Sequence, residues 1–179
     1  MFEDGDILLC KSEGVVPAII KWDTQSGYSH VAVIASAELG LIIEAVPEGG
    51  VRAISMENYK TPFDLYRVRP EFPFNTHNTT MYLVNMLARP YDTASAARLG
   101  WKFLLRRLGI VALFGLKLFR HQKAAAQLQK DQDYFCSELC YSAFKEGGGL
   151  DIVPQIGEAD ITAPGDIARS PRLEKIDNG

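Results

Sequence analysis

The sequence predicts an α+β protein in which a small antiparallel sheet packs on helices and carries a helical, basic and apolar insertion. Three observations lead there. Short β-rich runs broken by turn residues fill the stretch before Pro70. Helix-period apolar positions recur around Leu83 and again from Cys136 to Phe144. Between those two segments, residues 93–130 hold eight basic side chains and no acid. With 179 residues, 47% of them apolar, the chain is long enough for one ordinary core and too apolar to be disordered throughout. We therefore read 1–179 as one domain, with 93–130 as its amphipathic insertion.

Taken in order, Gly5-Asp6 opens the apolar run Ile7-Leu8-Leu9-Cys10, which reads as a buried strand with Cys10 a small core side chain. Val15 to Trp22 reads as a short helix with Pro17 in its first turn. Ser29 to Ala35 and Leu41 to Val46 are strands joined by the loop Ser36 to Gly40. After the turn Pro47-Glu48-Gly49-Gly50, the runs Val51 to Ser55 and Leu65 to Arg69 complete an antiparallel meander. Asn75 or Thr76 caps a helix carrying Leu83, Val84, Leu87 and Ala88, which ends at Arg89-Pro90. A second helix runs from Asp133 to Phe144 and stops at Gly147-Gly148-Gly149. The tail, with Pro154, Pro164 and Pro171, reads as surface loops.

The net charge of −3 excludes nucleic-acid binding by bulk electrostatics. It also hides a segregation, because outside 93–130 the chain has 11 basic against 22 acidic residues. On an ideal helix, the charges from Arg98 to Lys123 occupy about half the circumference, with Trp101, Leu104, Leu105, Leu108, Val111 and Phe119 on the other half. Gly109 and Gly115 leave a kinked helix or a hairpin open. Two readings of the stretch stay open as well. One is a core or dimer helix with a solvated basic edge. The other is an interfacial helix on a peripheral anionic membrane surface, engaged through 98–123.

Three cysteines, at 10, 136 and 140, make no disulfide framework and no zinc-ligand spacing, so a reducing compartment is expected and no metal is assigned. The acidic opening Met1-Phe2-Glu3-Asp4 shows no signal peptide. The longest uncharged apolar run, Leu108 to Leu116, is far below the roughly 20 residues of a span. The expectation is a cytoplasmic protein, with peripheral membrane attachment as the alternative.

The chemistry concentrates in three residues. Strand alternation puts His30 and Glu44 on one face, either directly opposite or diagonal. A carboxylate there fixes the imidazole tautomer and leaves the second ring nitrogen as a base. Cys136 opens the apolar face Cys136, Leu139, Cys140, Ala143, Phe144 in the first turn of its helix. Free amides and the helix dipole at that position favour the thiolate and suit an oxyanion. Each residue alone has an ordinary structural explanation. The conjunction points to a cysteine nucleophile with a base and an orienter. Cys140 is assigned to the core, and His77 and His121 to the surface.

Gly5-Asp6-Ile7-Leu8, Ser29-His30-Val31-Ala32-Val33-Ile34, Glu44-Ala45 with Gly50-Val51-Arg52, Arg89-Pro90-Tyr91-Asp92 and Phe135-Cys136-Ser137-Glu138-Leu139 occur in that order. This series resembles the circularly permuted papain-like hydrolases of the NlpC superfamily, the YiiX-like amidases, relatives of the lecithin–retinol acyltransferase group. The resemblance covers about residues 4–92 and 131–173. It implies a permuted papain-like fold with Cys136 as nucleophile, His30 as base, Glu44 as orienting residue and Tyr134 lining the substrate site. No cofactor is expected. The 93–130 stretch departs from the family, in which a shorter link joins Tyr-Asp to the cysteine motif.

The function expected is a cysteine hydrolase or acyltransferase that cleaves an amide or ester acyl bond through a thioester, with peptide, amide or lipid substrates and lipid favoured by the basic insertion. The alternatives are a peptidoglycan endopeptidase exported without a signal peptide, a non-catalytic acyl-binding module, and a scaffold that docks through 93–130.

Overall fold

The computed structural model describes residues 1–11, 26–47, 49–90, 136–157 and 162–177. The short helix expected at Val15 to Trp22, the insertion 93–130 and Tyr134 lie outside the described residues. Six strands form one antiparallel sheet: β1 (Ile7–Cys10), β2 (His30–Ser36), β3 (Leu41–Val46), β4 (Gly50–Ser55), β5 (Phe63–Val68) and β6 (Leu173–Ile176). Their order across the sheet is β4-β3-β2-β1-β5-β6. The described helices are α1 (Thr76–Asn85), α2 (Cys136–Ser142) and α3 (Pro164–Ala168).

The fold class is the α+β arrangement that the sequence predicts, with two corrections. β5 does not continue the meander beside β4. It crosses to the far side of β1, with Leu65 opposite Leu8. Its anchor there is Arg67, whose Nε and Nη2 donate to Asp6 Oδ1 at 2.7 Å and Oδ2 at 2.8 Å, a forked pair with a fully buried carboxylate. The tail also has regular structure. Pro164 occupies the first turn of α3, where its missing N–H costs nothing, and Leu173–Ile176 adds an edge strand against β5.

Alternation sorts the sheet into two apolar faces. Ile7, Leu9, Val31, Val33, Ile43 and Ala45 face the helices, where Leu139, Cys140, Phe144, Leu83 and Ile167 complete the larger core. Leu8, Cys10, Ala32, Ile34, Ile42 and Leu65 face the other way, under Tyr59, Met56 and Phe63. Each fully buried Ile, Leu or Val side chain among them contributes about 1.5–3 kcal/mol. Beyond Ser142, α2 widens into a π-type turn over Ala143–Gly147. The glycines that follow do more than stop the helix. A Cβ on Gly148 would lie 2.4 Å from Thr79 Oγ1, so its absence lets α1 close onto the end of α2.

The outer edge of β4 is partly covered. Val51 N–H donates to Arg89 O at 2.8 Å, and Ala88 N–H donates to Val51 O at 2.9 Å. Gly50 has φ +66°, and a Cβ there would sit 2.1 Å from Arg89 O. Ala88 itself is left-handed at φ 64°. Ala88→Gly is therefore expected to raise stability in urea titrations by about 0.5–1 kcal/mol, because an L-residue is strained in that region. Gly50→Ala should lower it by more, and an unchanged midpoint for either variant would contradict this account.

Candidate active site

The site is built where β2 and β3 part. Ile34 N–H donates to Asp6 O beside β1, so alternation turns the amides of Val33 and Val31 toward β3. The β2–β3 ladder, however, ends at the pair Ala32–Glu44, although β2 starts at His30 and β3 runs on to Val46. The Val31 amide lies beyond that last pair and donates to the sulfur of Cys136. The opening residue of α2 thus occupies the fork between the two strands.

This position solves a problem of sides. His30 and Glu44 share a face, with Glu44 diagonal to His30 rather than opposite, and that face is the one of Cys10 and Ala32. α2 packs on the other face. Cys136 and His30 are nonetheless hydrogen-bonded to each other. The contact is made at the leading end of β2, through the fork, and not across the sheet.

His30 Nε2 lies 2.7 Å from Glu44 Oε2, which leaves Nδ1 for the sulfur. Glu44 is fully enclosed, and both of its oxygens are held. Arg52 donates to Oε1 from Nε at 3.0 Å and from Nη2 at 2.7 Å, and the Tyr59 hydroxyl donates to Oε2 at 3.4 Å. Behind Tyr59, the Cys10 sulfur lies 3.0 Å from its hydroxyl oxygen.

The charges follow from these contacts. Burial opposes ionisation of Cys136, but the His30 imidazolium and the amides of Val31 and Ser137 outweigh it and hold the thiol below its ordinary value. Burial likewise opposes the imidazolium, and the Cys136 thiolate and the Glu44 carboxylate push His30 above its ordinary value. Against its own burial, Glu44 is held low by His30 and Arg52. Burial pushes Cys10 up to about 12 and raises Cys140, leaving both as thiols. The favoured state between the lowered thiol and the raised imidazole is a thiolate–imidazolium pair, backed by a carboxylate.

The structure brings together Cys136, His30 and Glu44, three of the four residues singled out from the sequence; Tyr134 lies outside the described residues. Cys140 is buried in the core and His77 is exposed. Sequence reasoning gave Arg52 and Tyr59 no role. Arg52 had a signal, because pairing across the turn at 47–50 sets it directly opposite Glu44. Tyr59 had none, since it reaches the site from the short helical turn after β4.

Among the described residues no group of three His, Cys, Asp or Glu side chains is placed to hold a metal ion. None of the described helices is long and apolar enough to cross a membrane. No protein-family model and no curated protein matches the sequence. The chain does have the fold of a solved structure, the metalloprotein YiiX from Escherichia coli O157:H7, with a TM-score of 0.64 over 98% of this chain and 96% of that one. Identity is 16%, so the likeness is one of fold.

Two outcomes are expected from iodoacetamide labelling at neutral pH followed by peptide mass mapping. Cys136 should alkylate quickly while Cys10 and Cys140 stay unmodified. His30→Ala should slow the Cys136 reaction at least about tenfold, since one unit of thiol pKa changes the thiolate fraction about tenfold. Equal labelling of all three cysteines would contradict the charge assignment.

Proposed function

We propose that the protein is a cysteine hydrolase or acyltransferase acting on an amide or ester acyl bond. The observation that carries the reading is the hydrogen-bonded series Cys136–His30–Glu44, in which each group faces the partner its role requires. The Cys136 thiolate attacks the acyl carbon, and amides of the first turn of α2 receive the oxyanion. The His30 imidazolium gives its proton to the departing amine or alkoxide, leaving a thioester on Cys136. His30 then takes a proton from water or from an acceptor nucleophile, whose attack releases the acyl group and returns the thiolate. Glu44 holds the ring so that Nδ1 stays on the sulfur.

The order of the sequence motifs, with the histidine ahead of the cysteine in the chain, is the basis on which we propose kinship with permuted papain-like amidases. YiiX is a metalloprotein, but no set of residues fitted to hold a metal ion is present among the described residues here, where Glu44 is engaged by His30, Arg52 and Tyr59. For the substrate, the basic apolar stretch 98–123 favours lipid, because such a segment holds an enzyme at an anionic interface. A peptidoglycan peptide bond is the second reading, favoured by the amidase resemblance of the cysteine motif.

Incubation with phospholipid vesicles and, separately, with peptidoglycan fragments, followed by mass spectrometry, decides between them. The expected result is release of fatty acid, or acyl transfer, by wild type and none by Cys136→Ala. Cysteine-dependent peptide cleavage would replace lipid by the wall substrate. Equal product from wild type and Cys136→Ala would overturn the cysteine mechanism. Wild-type binding of fatty acid without turnover of either substrate would favour an acyl-binding module instead.

A further inference from the structure

The trio at the fork does not balance its charge. A thiolate, an imidazolium and a carboxylate sum to −1 in a site where Glu44 and Cys136 are buried, and an uncompensated buried charge is costly. The group that completes the sum comes from the neighbouring strand. Arg52 stands directly opposite Glu44 in the β3–β4 register and forks Nε and Nη2 onto the one carboxylate oxygen that His30 does not use. Oε1 is thereby committed to arginine and Oε2 to histidine.

We propose that Arg52 is a positioning residue of this site: by neutralising Glu44 it keeps the four-member cluster Cys136, His30, Glu44, Arg52 at net zero, and so favours the thiolate form of Cys136. This inference rests on the cysteine-hydrolase reading and deepens it. Arg52 does not touch Cys136 and acts through Glu44. Among the described residues, the other titratable groups around the cluster are Cys10 from β1 and Tyr59 from the turn after β4, both neutral in this pH range, together with Cys140 and Glu138 on the helix of Cys136 itself. Among the described side chains hydrogen-bonded to Glu44, Arg52 is the one fixed cation. Its side chain is 49% exposed, so its field is partly screened and its influence on the thiol is moderate.

The test is the pH dependence of Cys136 alkylation by iodoacetamide. In Arg52→Gln the acid limb is expected to move up by about one pH unit, an approximately tenfold loss of rate below it. Arg52→Lys, which keeps the charge and loses the fork, should hold the limb near wild type. A wild-type limb in Arg52→Gln, with Cys136 still fast, overturns the role of Arg52 and leaves the hydrolase reading standing. A slow Cys136 in wild type overturns both. Should Arg52→Gln not fold, the comparison passes to Glu44→Gln against Glu44→Gln/Arg52→Gln. The double variant is again neutral, so its limb should lie above that of the single variant, which carries a net +1. Identical limbs in that pair would overturn the proposal.

Discussion

Everything near the site depends on one interaction, the pairing of a buried thiolate with a partly buried imidazolium in the gap where β2 and β3 separate. Two ions taken out of water are costly unless each is matched in charge and in hydrogen bonds. Here each is matched from a different element. The sulfur receives the amides of Val31 and Ser137 as well as the ring of His30. The ring in turn has Glu44 at Nε2, and Glu44 has Arg52 and Tyr59. Because the ladder stops at Ala32–Glu44, the Val31 amide is turned to the sulfur instead of to β3. Had the two strands stayed paired for one more step, that donor would have been spent on the sheet and Cys136 would have met only a closed surface.

The rest of the fold holds that gap in place. The β3–β4 hairpin keeps Arg52 across from Glu44, and the Ala88–Arg89 segment pins β4 through Val51 beside the left-handed Gly50. On the other side, β1 is fastened to β5 by Asp6 and Arg67, which fixes β2 from behind. Below, the close approach of Gly148 to Thr79 lets α1 support the end of α2, whose first residue carries the sulfur. Packing far from the chemistry thus decides whether three side chains from three elements meet within hydrogen-bond reach.

Much of this was legible in the sequence, because local periodicity carries it. The first four strands, the Asn75 cap and the buried face of the Cys136 helix follow from alternation, capping chemistry and helical spacing. The shared face of His30 and Glu44 also follows, with a qualification. Near the loop, Ser36 pairs with Leu41, and a register shift between Ile34 and Ser36 is what restores even-with-even pairing at Glu44. A slip of one residue would have turned Glu44 to the other face. The sequence does not announce the register shift, the fork or the arrival of Tyr59, since each is set by tertiary contacts. The same holds for β5, whose partner is chosen by a salt bridge 61 residues apart in the chain, and for the tail, where the prolines hide a short helix and an edge strand.

The central claim, a thiolate at Cys136 held by His30, is tested most directly by the ultraviolet absorbance of the thiolate, titrated with pH in wild type and in Cys136→Ala. The account predicts a difference absorbance already present at neutral pH that disappears only well into the acid range. A difference that emerges only near the ordinary cysteine value of about 8.5 would contradict it.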